Sequence, residues 1–462
     1  MTRRGLFRIH RWICALAVFF SYGLVLPSFA QFETRATVAV PAGPFGVAAG
    51  DFNHDGKLDV AIAADELTIL LGRGDGTFRA AITYPGGVYY SIAVADFNND
   101  GNLDLVVAPF SNSVDVFLGN GDGTFQGPFT SATTGPLASL VVGDFNGDHK
   151  MDIAGVGNSY ISVLLGNGDG TFQASIDNSS FFAPGELAVG DFNNDHKLDV
   201  AVVGSFGGSS GMGVLLGNGD GTLQKALTYA LNTTPCSVAA ADFNRDGNLD
   251  VAIGGCAEIT VLLGNGDGSF QPPAFYDGGR PVIVGDFNHD GKLDLLAGYL
   301  GGPGVSELIG NGDGTFRPTK DYPTGSGLLA VAGDLNGDSR LDAVLLDDNH
   351  DKLTTMLNTG TLTFYPTTPL NFGAQVINST SKPKTVQLSN TTNKAVSIHS
   401  IEALGPFQVA NTCGGTIIPG GTCKISATFT PLKPGPQSGT ITIMDGASSK
   451  PQYVELLGVG KP

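Results

Sequence analysis

Charge is scarce in this chain: Asp, Glu, Lys and Arg make up only 15% of its 462 residues. Basic residues are the rarer sign, 25 against 43 acids, and they form no stripe that could meet phosphate, which argues against a nucleic-acid partner. The single tryptophan, Trp12, lies in the N-terminal leader, so the mature chain has no indole platform for sugar stacking. Histidine is sparse and scattered, at His10, His54, His149, His196, His289, His350 and His399. Gly-x-Ser-x-Gly and His-Glu-x-x-His are both missing, and no paired-Glu constellation stands out, so no catalytic residue is assigned. Nor does the mature part hold a long run of apolar residues at three- and four-residue spacing, which disfavours a helical fold.

What is abundant is Gly, at 67, with 25 Pro, a composition suited to many short strands joined by tight turns. The first thirty residues read as a signal peptide. Arg3, Arg4, Arg8 and Arg11 precede an apolar run from Trp12 to Leu26, and Ser28-Phe29-Ala30 offers a cleavage site after Ala30. That run is short for a membrane span. Thr2-Arg3-Arg4-Gly5-Leu6-Phe7 resembles a twin-arginine signal, and an ordinary secretory signal fits as well. Export to the periplasm, cell surface or medium is expected, with no transmembrane segment in the mature chain. Cleavage removes four Arg and no acid, leaving 21 basic against 43 acidic residues, a net charge of −22.

Four cysteines remain, and an even count in an exported chain points to disulfides. Cys413 and Cys423 enclose Gly414, Gly415, Gly420 and Gly421, so a bridge there would pin a flexible loop and contribute about 2–4 kcal/mol. Cys236 and Cys256 each lie ten residues from Asp246, so a symmetric hairpin would bring them together as a cross-strand disulfide.

The dominant pattern is a nine-residue loop, Asp-Phe-Asn-x-Asp-Gly-x-Leu-Asp and close variants. It begins at Asp51, Asp96, Asp144, Asp191, Asp242, Asp286 and Asp334, at intervals of 44 to 51 residues. A period of this length marks a stacked or radial repeat. Each unit reads as four short strands, the form of a propeller blade, and seven units lie within the usual range. The second unit illustrates this, with strands at Ser91–Ala95, Leu103–Ala108, Val114–Leu118 and onward from Phe125. A second motif, Leu-Gly-Asn-Gly-Asp-Gly-Thr-Phe, begins at Leu71, Leu118, Leu165, Leu216, Leu263 and Ile309. It reads as the hairpin turn between the third and fourth strands, its Phe packing between neighbouring units. In the seventh unit it decays to Leu357-Asn358-Thr359-Gly360-Thr361-Leu362-Thr363-Phe364. Segments near Phe32 and Phe364 are then rival candidates to complete a blade and close the ring.

Oxygen donors at positions 1, 3, 5, 7 and 9 of the loop describe a cage for a hard cation, with position 7 contributing its main-chain carbonyl. The candidate metal ligands are Asp51, Asn53, Asp55, Lys57 and Asp59; Asp96, Asn98, Asp100, Asn102 and Asp104; Asp144, Asn146, Asp148, Lys150 and Asp152; Asp191, Asn193, Asp195, Lys197 and Asp199; Asp242, Asn244, Asp246, Asn248 and Asp250; Asp286, Asn288, Asp290, Lys292 and Asp294; and Asp334, Asn336, Asp338, Arg340 and Asp342. Calcium is the expected ion, up to seven per chain. Magnesium demands stricter geometry, and zinc prefers His or Cys. Gly occupies position 6 in four copies; His149, His196 and Ser339 replace it in the others, where weaker sites are expected. The Leu at position 8 should tie the loop to the core.

These residues resemble the FG-GAP, or VCBS-type, repeat family. The resemblance covers about Phe32 to Tyr365 and implies a secreted or surface β-propeller with calcium in the first hairpin of each blade, like the head of integrin α subunits. Beyond it, Leu370-Asn371-Phe372-Gly373, the Cys413–Cys423 segment and Leu456-Leu457-Gly458-Val459-Gly460 look like the Ig-like domains of the ASPM–SPD-2–Hydin and choice-of-anchor type. The expected organisation is therefore all-β. A signal peptide at 1–30 precedes a seven-bladed propeller at 31–365, and an Ig-like β-sandwich occupies 366–462. The function this implies is an adhesion or recognition scaffold for an extracellular protein or polysaccharide. The alternative is a calcium-assisted polysaccharide lyase. Tyr84, Tyr89, Tyr90, Phe110, Tyr160, Phe181, Phe182, Phe206, Tyr276, Tyr299 and Tyr322 fall near the connections of the face opposite the Asp loops, which is the expected partner surface.

Overall fold

The computed structural model describes residues 32–462 apart from 158, 180–181, 207–208, 257, 299–303, 324–328, 359–361, 366–368, 391–394 and 447–450. The leader and two of the aromatic candidates, Phe181 and Tyr299, lie outside the described residues, as do the side chains of Phe182 and Phe206. The described chain is all strand and turn, and none of it forms a helix long and apolar enough to cross a membrane.

Among the described residues there are nine sheets, and seven of them are four-stranded antiparallel units cut from residues 32–358. The first holds Gly46–Gly50, Asp59–Ala63, Leu67–Leu70 and Ile82–Tyr84 in that order, and the next five repeat its meander. Second and third strands such as Asp59–Ala63 and Leu67–Leu70 are buried at every residue. Covered on both faces, they carry continuous β-branched and aliphatic runs instead of alternating ones. The fourth strands are mostly exposed, as in Phe125–Ala132. First strands of successive sheets lie against one another, and Gly46–Gly50 also meets Leu329–Gly333 of the last repeat sheet, so the series closes on itself.

Closure is made by the N-terminus. Phe32–Ala39 pairs with Lys352–Asn358 and becomes the fourth strand of the sheet that contains Asp342–Asp347 and Leu329–Gly333. Of the two rival segments, Leu362–Tyr365 pairs instead with Lys384–Asn390 in a C-terminal sheet. Phe32 is buried edge-on against Phe287 and Tyr322, with centroids 5.8 and 5.2 Å apart. It thus takes the place that the Phe of the second motif holds in other sheets, where Phe125 meets Phe52 and Phe316 meets Phe243. Phe32→Ala should therefore cost about 3–5 kcal/mol, read from urea denaturation, because its cavity opens at the seam.

The C-terminal region packs two sheets around Val386, Ile425, Phe429, Ile441 and Leu456. Leu370–Val376 runs parallel to Gln452–Lys461, and all other pairings are antiparallel. The Cys413–Cys423 disulfide is present, closing the Gly-rich loop as expected. The expected Cys236–Cys256 disulfide is not: both are free thiols. The hairpin is not symmetric at that point. Pro235 faces Gly255 and Ser237 faces Gly254, so Cys236 is the extra residue of a bulge, and its thiol adjoins that of Cys256 without a bond between them.

Candidate functional site: the Asp loops

Each Asp loop joins the first and second strands of a sheet and is held by one repeated hydrogen-bond network. The position-1 carboxylate accepts from the amides of positions 5 and 6. In the first loop Asp55 N–H donates to Asp51 Oδ1 at 3.1 Å and Gly56 N–H to Oδ2 at 2.8 Å. Asn53 Oδ1 accepts from Asp55 N–H at 3.0 Å, and Asp55 Oδ1 accepts from Lys57 N–H at 3.1 Å. The same bonds recur in the seventh loop, where Ser339 N–H donates to Asp334 Oδ2 at 2.7 Å.

Position 9 does something the sequence pattern did not reveal. Asp59, Asp104, Asp152, Asp199, Asp250, Asp294 and Asp342 are all fully buried. One oxygen accepts from the amide at position 2 of its own loop, and the other accepts from the residue that opens the third-to-fourth-strand turn. For Asp199 these donors are Phe192 at 2.9 Å and Gly217 at 2.8 Å. For Asp342 they are Leu335 at 2.9 Å and Asn358 at 2.7 Å. This residue is therefore a staple between two hairpins as well as a ligand candidate. Burial pushes its carboxyl up, to about 6 in Asp104, Asp152, Asp199 and Asp250, against the pull of the two amides. The carboxylates at positions 5 and 1 add repulsion. Asp342 reaches about 7 and Asp294 about 8, again chiefly by burial.

Position 6 lies in the left-handed region whatever residue fills it: φ is 75° at Gly56, 64° at His149, 66° at His196 and 67° at Ser339. Position 4 does the same, with His54 at 55° and Arg245 at 62°. The three copies without Gly keep the loop shape at the expense of backbone strain. His196→Gly should therefore stabilise the chain by about 1 kcal/mol, measured as a rise in urea midpoint.

Neighbouring loops are linked into a belt. The second glycine of each Asn-Gly-Asp-Gly turn also has positive φ, and its N–H donates to the position-2 carbonyl of the preceding sheet's Asp loop, as in Gly123 to Phe52 at 3.0 Å. Gly76 to Leu335, at 3.1 Å, carries the same bond across the seam. In the seventh unit, where the motif has decayed, Asn358 Nδ2 donates to Phe287 O at 2.6 Å in its stead. The Asp of the turn accepts from its own Thr, Asp122 from Thr124 Oγ1 at 2.6 Å, which makes it a turn residue as the sequence suggested. The position-8 Leu ties the loop to the neighbouring sheet: a Cβ on Gly190 would collide with Leu249, and one on Gly333 with Leu58. His54 and Asn194 bridge similarly, to Asn102 at 3.0 Å and Asn248 at 2.8 Å.

The 35 candidates thus gather in seven similar loops, and the donors proposed in each are oxygens, which suits a hard cation. Among the described residues no three His, Cys, Asp or Glu side chains make a metal cluster by themselves, so the Asn amide and a main-chain carbonyl would have to complete each set. Lys57 and Lys150 place Nζ 3.3 Å from Asp55 and Asp148, partly offsetting the crowded charge. Asn288 and Arg340 are buried, so the sixth and seventh loops are the most enclosed.

Of the aromatic candidates, Tyr89 and Tyr322 are buried core. Tyr84 and Tyr276 pack against Phe125 and Phe316 between sheets. Tyr90 and Phe110 stay at the surface, joined by Phe45, which sequence reasoning missed. A lone Phe in a Gly/Pro connection gives no signal of its own.

The FG-GAP-like repeat family matches at residues 60–107, 96–155, 144–202, 191–253 and 243–297, together just over half of the chain. The protein belongs to that family. Residues 349–458 match the HYDIN/CFA65/VesB-like Ig-like domain. No curated protein matches. Among solved structures, an Agrocybe aegerita lectin described as recognising non-reducing terminal N-acetylglucosamine is similar at 21% identity. The match covers 63% of this chain and 81% of that one, with a TM-score of 0.45. A PapD-like domain of human CEP192 matches at 16% identity over 22% of this chain and 85% of that one, with a TM-score of 0.17.

Proposed function

We propose that this is an exported, calcium-stabilised recognition scaffold whose seven repeat sheets are the blades of one closed propeller. The observation that carries the reading is the identical network in all seven Asp loops: three carboxylates crowded into one turn, one of them buried, in a chain of net negative charge. A calcium ion in each loop would be held by positions 1, 3, 5 and 9 and the position-7 carbonyl. When bound, it neutralises the carboxylates and locks the first hairpin. The chain's own residues then do the rest: the position-9 Asp staples two hairpins, and the turn glycines fasten each loop to its neighbour. This face is a rigid belt, so recognition of a protein or glycan falls to the opposite face, built from the connections into the first strands. Screening the full exported chain, with calcium, on glycan and extracellular-protein arrays tests the reading. A saturable ligand supports it, and a blank on both arrays contradicts it.

A further inference from the structure

The starts of all seven first strands surround a cavity of about 400 Å³ at the end of the ring away from the Asp loops. Its size suits one sugar-sized ligand. Its wall is drawn from all seven repeats, and its polar side chains include Ser91, Ser139, Glu186, Ser237 and Arg280.

Of these, Glu186 and Arg280 interact through space, and Ser237 precedes Val238 in the strand that Glu186 meets. The buried Nε of Arg280 has no hydrogen-bond partner, and among the described residues no carboxylate pairs with its guanidinium. Ser237 is 6% exposed, and its Oγ, likewise unpartnered, is turned against Gly254 of the adjoining strand. Polar groups left this way lose free energy unless something enters to meet them. Glu186 Oε2 accepts from Val238 N–H at 3.1 Å. Burial pushes this carboxyl up to about 7, so at neutral pH it offsets only part of the Arg280 charge. Asp348 and Cys236 feel the same guanidinium through space, and Cys256 adjoins Cys236.

Across the mouth stands a ladder of rings. Phe45 stacks on Tyr90 with centroids 4.8 Å apart, and Tyr90 leans on Phe110 at 5.3 Å. Phe45 and Tyr90 line the cavity, and Phe110 is 74% exposed. An exposed aromatic surface and an unpaired cation on one cavity favour a ligand with a flat apolar face and an anionic group.

We propose that this cavity binds a sugar ring bearing a carboxylate, with Arg280 meeting the carboxylate and the Phe45–Tyr90–Phe110 ladder meeting the ring. The assignment rests on the recognition-scaffold reading and names its ligand class.

The test titrates the full calcium-loaded chain with methyl glucuronide and with methyl glucoside, followed by ligand-observed NMR. The glucuronide should bind at least about tenfold more tightly. Arg280→Gln should lose that preference, and Tyr90→Ala should weaken the glucuronide several-fold. Arg35→Gln, at the Asp75 turn of the other face, should change nothing. Unaltered melting temperatures would show that the variants fold. Equal binding of the two sugars, or an Arg280→Gln chain that binds like the original, overturns the proposal. So does a polyglutamate peptide that displaces the glucuronide at matching carboxylate concentration, since the site would then read acidic peptide. Array ligands that bind all these variants equally would sink this cavity while leaving the scaffold reading intact. A blank on the arrays would sink both.

Discussion

EDTA should lower the melting temperature of the exported chain by on the order of 20 °C, and excess calcium should restore it while magnesium restores little. A cation about a hundredfold above its dissociation constant contributes about 2.7 kcal/mol per site, and there are seven loops of one shape. The size of the effect should depend on pH. The buried position-9 carboxyls hold their protons more tightly in the folded chain than in the unfolded one. The stripped protein is therefore favoured at low pH. It loses stability as pH rises from the unfolded carboxylate value near 4 through about 6, and up to about 8 for Asp294. Calcium favours the ionised form and removes that loss, so EDTA should matter more at pH 8 than at pH 5. Coincident melting curves with and without EDTA at both pH values would contradict the calcium assignment.

Asp199→Ala should cost about 3–5 kcal/mol whether or not calcium is present. It leaves the buried Phe192 and Gly217 amides without acceptors, at roughly 1–3 kcal/mol each, and opens the link between two hairpins. Asp195→Ala in the same loop is the contrast. Asp195 is exposed and its Oδ1 accepts only the Lys197 amide, at 3.0 Å. Its loss should be felt mainly in calcium and fade in EDTA. Urea titrations of both variants in both conditions separate the staple from the ligand set. An Asp199→Ala chain as stable as the original in EDTA would show that the staple has no weight.

Much of this architecture was written in the period of the Asp loop. Seven copies located seven first hairpins, and the Asn-Gly-Asp-Gly turns located the next ones, because positive φ restricts which residues can stand there. The role of position 9 was only half legible. Its carboxylate looks the same in sequence whether it faces a cation or two amides, and the second amide comes from a residue 13 to 18 positions away. Ring closure was left undecided between Phe32 and Phe364, since both segments resemble outer strands. The decision lies in the pairing of Phe32–Ala39 with a strand more than 300 residues distant. Counting outward from the loop brought Cys236 beside Cys256 but assumed a hairpin without bulges; one extra residue at Cys236 takes it out of backbone register, and the two thiols adjoin unbonded. The cavity at the first-strand ends was invisible for a related reason. Glu186, Ser237 and Arg280 come from three different repeats at positions that no motif marks.

The most direct test of the account is the number of calcium ions held per chain, measured by elemental analysis after desalting the exported protein from calcium buffer. Since His149, His196 and Ser339 adopt the same left-handed backbone as the glycines they replace, the account predicts about seven ions, and no fewer than four. Calcium at background level, with the protein folded, would contradict it.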